Sequence, residues 1–310
     1  MTASAGVVTS LCRIAIVVAD LDAAEAFFVE AFDFERVEQR REDARFAVLL
    51  GVPDTQVRQT IMRLGEQEIG LLAFDPPGRP YPAGSTSTDL WFQHFAIIVS
   101  DMEAAYARLQ AVGRFTPISE SGPQVLPPSS GSVSAFKFRD VDGHPLELLA
   151  FPAGQGPAYW QGRAARGLFL GIDHSAISIF DTARSIAFYT HVLGLTLGDH
   201  TENAGPEQAR LDAVPAAAVT VSGLRLVHTP PHVELLGYKV GSRRPIAPDT
   251  RADDIAATMF VMKTNNLALV VAALDAASTV VISPGVVALA DGTQAIAILD
   301  PDGHRIIIEQ

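Results

Sequence analysis

The stretch HSAISIFDTARSIAFY, residues 174–189, opens on a run of mostly apolar, partly β-branched residues, meets Asp181, and then changes period. The run reads as a buried strand, and Asp181 as a helix N-cap whose carboxylate accepts from a free first-turn N–H. Beyond it Ile186, Tyr189 and Leu193 fall on one helical face. The same pattern stands at three other places. It is RIAIVVADLDAAEAFF from Arg13, HFAIIVSDMEAAYARL from His94 and MFVMKTNNLALVVAAL from Met259, with Asp20, Asp101 and Asn266 at the cap position. A pattern that returns four times in one chain is the mark of a repeated structural unit.

The remainder of each unit reads as short strands. The second ends FKFRDVDGHPLELLAF and the fourth AILDPDGHRIIIEQ, and their DVDG and DPDG tetrapeptides (Asp140–Gly143, Asp300–Gly303) are turns between paired strands. The third ends HVELLGY and the first IGLLAF. The unit is therefore strand, helix, three strands. The segments GRPYPAGSTSTDL (78–90) and SRRPIAPDTRADDI (242–255) resemble each other and read as connectors, and the Gly/Pro/Ala-rich FPAGQGPAYWQGRAARG joins the halves. The expected division is an N-terminal half, 1–155, with modules at about 11–76 and 90–152, and a C-terminal half, 165–310, with modules at about 170–240 and 255–310.

Composition narrows the functions. The 310 residues are 48% hydrophobic and 19% charged, the balance of a globular protein, with net charge -12. That average field argues against a nucleic-acid or anionic-membrane partner. The single cysteine, Cys12, excludes an intrachain disulfide and a cysteine-based zinc cluster, and reads as a small strand residue rather than a nucleophile. No apolar run reaches the ~18 residues that span a bilayer, and the N-terminal stretch lacks the basic segment of a signal peptide. The expectation is a cytoplasmic protein, monomer or homodimer. No phosphate-cradling Gly-rich loop is evident.

Four βαβββ units carrying FYTHVLGL and the DPDGH turn resemble the vicinal oxygen chelate superfamily, which includes glyoxalase I, methylmalonyl-CoA epimerase, extradiol dioxygenases and bleomycin-resistance proteins. The resemblance covers nearly the whole chain. It implies an α+β fold in which modules pair into two half-open eight-stranded barrels around a metal cavity. It also implies two ligand positions per module, one early in the first strand and one on the last strand, four residues past the turn glycine. The first position is Arg13, His94, His174 and Met259; the second is Gly70, Glu147, Glu234 and Ile307, with Glu309 two residues off.

Modules two and three keep both ligands, and modules one and four keep neither. Pairing two with three, similar to single-chain glyoxalases, collects His94, Glu147, His174 and Glu234 into one site; pairing two with one would leave half-sites. Two imidazoles and two carboxylates suit one divalent ion, Ni, Zn, Co, Fe or Mn. The implied partner is a small molecule with vicinal oxygens, and the implied reaction is a lyase or isomerase step of the glyoxalase or epimerase type. In it Glu147 or Glu234 removes a proton beside a chelated carbonyl. The alternatives are an Fe(II) extradiol dioxygenase using His94, His174 and one Glu, and a non-enzymatic binder like the bleomycin-resistance proteins.

The other marked residues carry weaker expectations. His144 and His304 read as solvated turn residues, His191 as exposed, His200 as a loop residue and His228 as unlikely to contribute. His232, two residues before Glu234, faces the same side of its strand and is expected beside the metal or as a fifth ligand. Arg13 is expected to meet solvent or an anion. The loop Gln124–Ser132 is expected over the cavity mouth, Phe136 and Phe138 in the core, and Trp91 or Gln93 at the rim.

Overall fold

The computed structural model describes residues 8–241 and 243–310. Module one runs β1 (Val8–Val17), α1 (Leu21–Phe32), β2 (Glu35–Arg41), α2 (Ala44–Leu49), β3 (Gln56–Leu64) and β4 (Gln67–Asp75). Module two is β5 (Gln93–Val99), α3 (Met102–Val112), the two-residue β6 (Thr116–Pro117) and β7 (Gln124–Val125), β8 (Ser134–Arg139) and β9 (Pro145–Ala150). Module three is β10 (Phe169–Ser178), α4 (Thr182–Ala187) continuing into a π-turn, β11 (Thr196–Ala204), α5 (Pro206–Asp212), β12 (Ala218–Arg225) and β13 (His232–Tyr238). Module four is β14 (Met259–Thr264), α6 (Leu267–Ala276), β15 (Val287–Ala288), β16 (Gln294–Leu299) and β17 (Arg305–Glu309).

All four expected caps form: Asp20, Asp101, Asp181 and Asn266 each accept from a backbone N–H two or three residues on. The repeat was read as strands after its helix, and here the structure adds two short helices. Asp43 caps α2, and Pro206 starts α5 with a φ already fixed for a helix.

The strands form two open mixed sheets, so the fold is α+β with paired βαβββ modules. One has eight strands in the order β15-β16-β17-β14-β1-β4-β3-β2, from modules four and one. The other has nine, β11-β12-β13-β10-β5-β9-β8-β6 with β7 on β8, from modules three and two. Each sheet is joined at its centre by the antiparallel pairing of two first strands, β1 with β14 and β5 with β10. Thus both sheets combine strands from the two sequence halves.

The main core lies between the sheets and is filled from all four modules. Phe28 of α1 stacks on Phe95 of β5 with ring centroids 6.2 Å apart, and Phe32 meets Phe138 at 5.9 Å and Phe169 at 5.6 Å. Phe136 and Phe138 are fully buried in this core, as expected. Among the described residues, no helix is long and apolar enough to cross a membrane.

The connectors and the DxDG turns bind one sheet to the other. Arg79 pairs with Asp254 at 2.7 Å, and its repeat counterpart Arg244 pairs with Asp89 at 2.7 Å, so the two connectors clasp reciprocally. His144 and His304 are not solvated: both are buried. The His144 Nε2–H donates to the Ile255 carbonyl at 3.0 Å, and the His304 Nε2–H to the Ser178 carbonyl at 3.0 Å. Each turn thereby reaches a residue more than a hundred positions away, Ile255 in the connector ahead of β14 and Ser178 at the end of β10. Asp142 and Asp302 act in parallel, accepting from the N–H of Ala19 and Phe180, the residues just before two helix caps.

His144 also faces Asp140 Oδ2 through Nδ1 at 2.9 Å. Burial works against its charged form, but Asp140 wins and holds the imidazole above its ordinary pKa. A raised histidine stabilises the fold fully below its unfolded value, near 6.5, and loses that contribution as pH rises through the folded value. We expect His144→Ala to destabilise the protein by about 1–3 kcal/mol, the range for stranding buried partners. The gap from wild type, read by denaturant unfolding, should be wider at acidic than at alkaline pH; a gap that does not change with pH would contradict the charged bond.

Candidate active site

The register of four central strands builds the site. In β5–β10 pairing, His94 lies opposite Ala176 and His174 opposite Ala96, so the two histidines stand diagonally on one face. The parallel neighbours add the acids: Ala96 sits beside Glu147 of β9, and Ala176 beside Glu234 of β13. The two alanines leave room for the carboxylates at the centre of the face. His94, Glu147, His174 and Glu234 all line one cavity of about 370 Å³, which the structure therefore brings together from two modules.

Its distances are unequal. His94 Nε2 is 3.1 Å from Glu147 Oε2, and the rings of His94 and His174 are 5.7 Å apart. His174 Nε2 lies 3.6 Å from Glu147 Oε2 and 3.6 Å from Glu234 Oε2. The tightest donor groups are His94–Glu147–His174 and Asp173–His174–His232, all buried, each with one ligand atom per residue within 4.8 Å of the others. Glu234 stands at the edge of the first group and is the more open carboxylate, its side chain 20% exposed against 7% for Glu147. Both donor groups suit a divalent metal ion.

Two further residues, Asp173 and His232, contact this group. Asp173 accepts from the His174 Nδ1–H at 3.1 Å and from the Trp160 indole N–H at 2.5 Å, which leaves His174 Nε2 facing the cavity. His232 pairs with His174 across β10 and β13, its ring 5.4 Å away, and its Nε2–H donates to Glu234 Oε1 at 3.2 Å. His232 thus stands beside Glu234, as their shared strand face implies. Asp173 carried no signal: an acid next to a histidine in a strand normally points to the opposite face.

The protonation pattern follows from these partners. Burial and then the Lys137 ammonium push His94 below its ordinary value. For His174, burial is overcome by Glu234, Asp173 and Glu147, which hold it well above. Burial would raise Glu147, yet Lys137 and the two histidines bring it well below the carboxylate range. Glu234 is lowered more simply, by His174 and His232 against burial.

The remaining expectations resolve as follows. Leu126, Ser129, Ser130 and Gly131 of the 124–132 loop line the cavity, and Ser130 Oγ–H donates to Asn203 Oδ1 at 3.0 Å. Neither Trp91 nor Gln93 lines it: the Trp91 ring lies under the Arg244 guanidinium at 4.8 Å, and Gln93 is buried. His191 and His228 are exposed, and His200 is a strand residue bonded to Ser222 Oγ at 2.8 Å rather than a loop residue. In the other sheet, Arg13 is half-buried and pairs with Glu309 at 3.3 Å and with Glu68 at 3.9 Å. Burial pushes the Cys12 thiol up to about 12, so it is not a nucleophile at neutral pH.

A family model described as the glyoxalase/bleomycin resistance protein/dioxygenase superfamily matches residues 10–148 and 171–308. No curated protein matches the chain at a significant level. Among solved structures it is similar to glyoxalase I from Zea mays, with TM-score 0.62, 18% identity, and 96% of this chain and 91% of that chain covered. It is also similar to a proposed dioxygenase from Bacillus subtilis, with TM-score 0.57, 12% identity, and 98% and 86% covered. At these identities the likeness is one of fold.

In metal-free protein at neutral pH, nitrogen-detected NMR of the imidazoles should find His174 doubly protonated and His94 neutral, with Glu147→Gln lowering the His174 pKa. Two neutral rings in the wild type would contradict the electrostatic pattern.

Proposed function

The chain belongs to the glyoxalase/bleomycin resistance protein/dioxygenase superfamily, and from that premise we propose a metal-dependent lyase or isomerase that removes a proton beside a carbonyl. The observation that carries this reading is the pair of carboxylates flanking His174, Glu147 and Glu234, each 3.6 Å from its Nε2. Two imidazoles and one carboxylate suffice to hold an ion; the fourth residue is left for proton transfer. His94, His174 and Glu147 would hold a Ni, Zn, Co, Fe or Mn ion, with Glu234 completing the set in the resting state. When bound, such an ion supplies a Lewis acid that polarises the carbonyl and stabilises the charge left by the departing proton.

The chain's own residues do the rest. Glu234 is the better base because it stands outside the tight triad and is the more open of the two acids. It takes the proton at Oε2, while the His232 N–H keeps Oε1 in place. Asp173 holds the His174 tautomer through Nδ1. Leu126, Leu149 and Phe151 supply apolar cavity wall that limits water around the reacting carbon.

The tight His94–Glu147–His174 group also favours a second reading, an Fe(II) dioxygenase with Glu234 idle, because two histidines and one carboxylate are the ligand pattern of non-haem iron oxygenases.

Metal analysis of protein purified without tag or chelator should give about one ion per chain, absent from the His94→Ala/His174→Ala double variant. Uptake should weaken as pH falls, since His174 must lose its proton to bind. Among α-hydroxycarbonyl and thioester compounds in D₂O, a substrate should exchange its α-proton, and Glu234→Gln should cut that exchange about 10²–10⁴-fold while retaining the ion. Oxygen consumption with a catechol by iron-loaded protein, unaffected by Glu234→Gln, would instead favour the dioxygenase.

A further inference from the structure

The same cavity contains a charge that the reaction above does not use. Lys137 of β8 lies directly across from Glu147 in the β8–β9 pairing and lines the cavity, with its side chain 5% exposed. Lysine is seldom buried this deeply without a task, since removing an ammonium from water is costly. Its Nζ donates to Asp212 Oδ1 at 2.7 Å, and that is its only hydrogen bond among the described residues. Asp212 is otherwise engaged: its Oδ2 accepts from Gln208 Nε2 at 2.6 Å, and Tyr238 lies beside it. An ammonium has three N–H groups, so two of them have no acceptor in the protein. The Tyr238 hydroxyl, also buried and on the cavity wall, is turned to the same Asp212 carboxylate.

The cavity thus holds two unspent ammonium N–H groups, while Leu126, Val133, Leu149 and Phe151 give it apolar wall. We propose that Lys137, held by Asp212, binds a carboxylate of the ligand, so that the substrate is a small organic acid with an apolar tail. Buried ammonium donors bind an anionic oxygen more strongly than a neutral one. The identification of this ligand as the substrate rests on the cavity being the reaction site; the recognition itself does not.

The test uses metal-free protein, confirmed by mass spectrometry, titrated calorimetrically with hexanoate and with its neutral counterpart hexanamide. Wild type should bind hexanoate about tenfold tighter or more. Lys137→Met should abolish the preference and leave hexanamide unchanged. If that variant fails to fold because Asp212 is stranded, Lys137→Met/Asp212→Asn removes both charges and should give the same result. Equal affinity of wild type for the two probes, no binding of hexanoate, or a preference that survives in either variant would overturn the inference. Because no metal is present, a chain that never takes up metal would fail the proposed reaction and leave this result standing. A metal-loaded, active protein without the carboxylate preference would fail this inference alone.

Discussion

Everything at the site depends on the antiparallel pairing of β5 with β10. That one ladder sets His94 and His174 diagonally across Ala176 and Ala96, and it brings β9 and β13 in on either side with one carboxylate each. A slip of either strand by one residue would turn its histidine to the opposite face, into the apolar core between the sheets. The register is held by that core, because residues of the same strands that alternate with the histidines, Phe95 and Ile97 of β5 and Ile177 of β10, belong to it. The apolar pattern that folds the strand is therefore also what aims its histidines.

The companion sheet repeats this architecture without the chemistry. Ala15 of β1 has Gly70 beside it where Ala96 has Glu147, and Val261 of β14 has Ile307 where Ala176 has Glu234. Its concave face is packed with Phe46, Leu49, Val261 and Ile307, leaving a cavity of about 170 Å³ against about 370 Å³. Reciprocal contacts of the connectors, Arg79 with Asp254 and Arg244 with Asp89, hold the two sheets against each other. The division of labour is between a sheet that keeps polar groups converging on open space and a sheet whose equivalent positions are mostly apolar or paired.

Much of this was legible in the sequence because it is periodic. Strand runs, capping residues and DxDG turns recur at fixed offsets, and the family resemblance carried over the aligned modules implies His94, Glu147, His174 and Glu234, which the structure brings to one cavity. What was missed depends on partners far along the chain. His144 and His304 look like turn histidines until Ile255 and Ser178 supply their carbonyls. Arg13 looks free until Glu309 arrives from the opposite end of the chain. Lys137 sits between two phenylalanines and reads as the solvent-facing residue of a half-buried strand; only the α5 helix, which places Asp212 above it, makes it an interior charge. Short helices α2 and α5 were hidden because six or seven residues carry too little periodicity to separate from a loop.

The central claim is that one metal ion sits where modules two and three meet. Anomalous diffraction from crystals grown with Ni²⁺ or Zn²⁺ tests it most directly. The account predicts a single strong peak in the larger cavity, about 2.0–2.3 Å from His94 Nε2, His174 Nε2 and a Glu147 oxygen, with Glu234 at or near the ion. A peak confined to the Asp173–His174–His232 group, a peak in the smaller cavity of the other sheet, or none at all in metal-saturated crystals would contradict it.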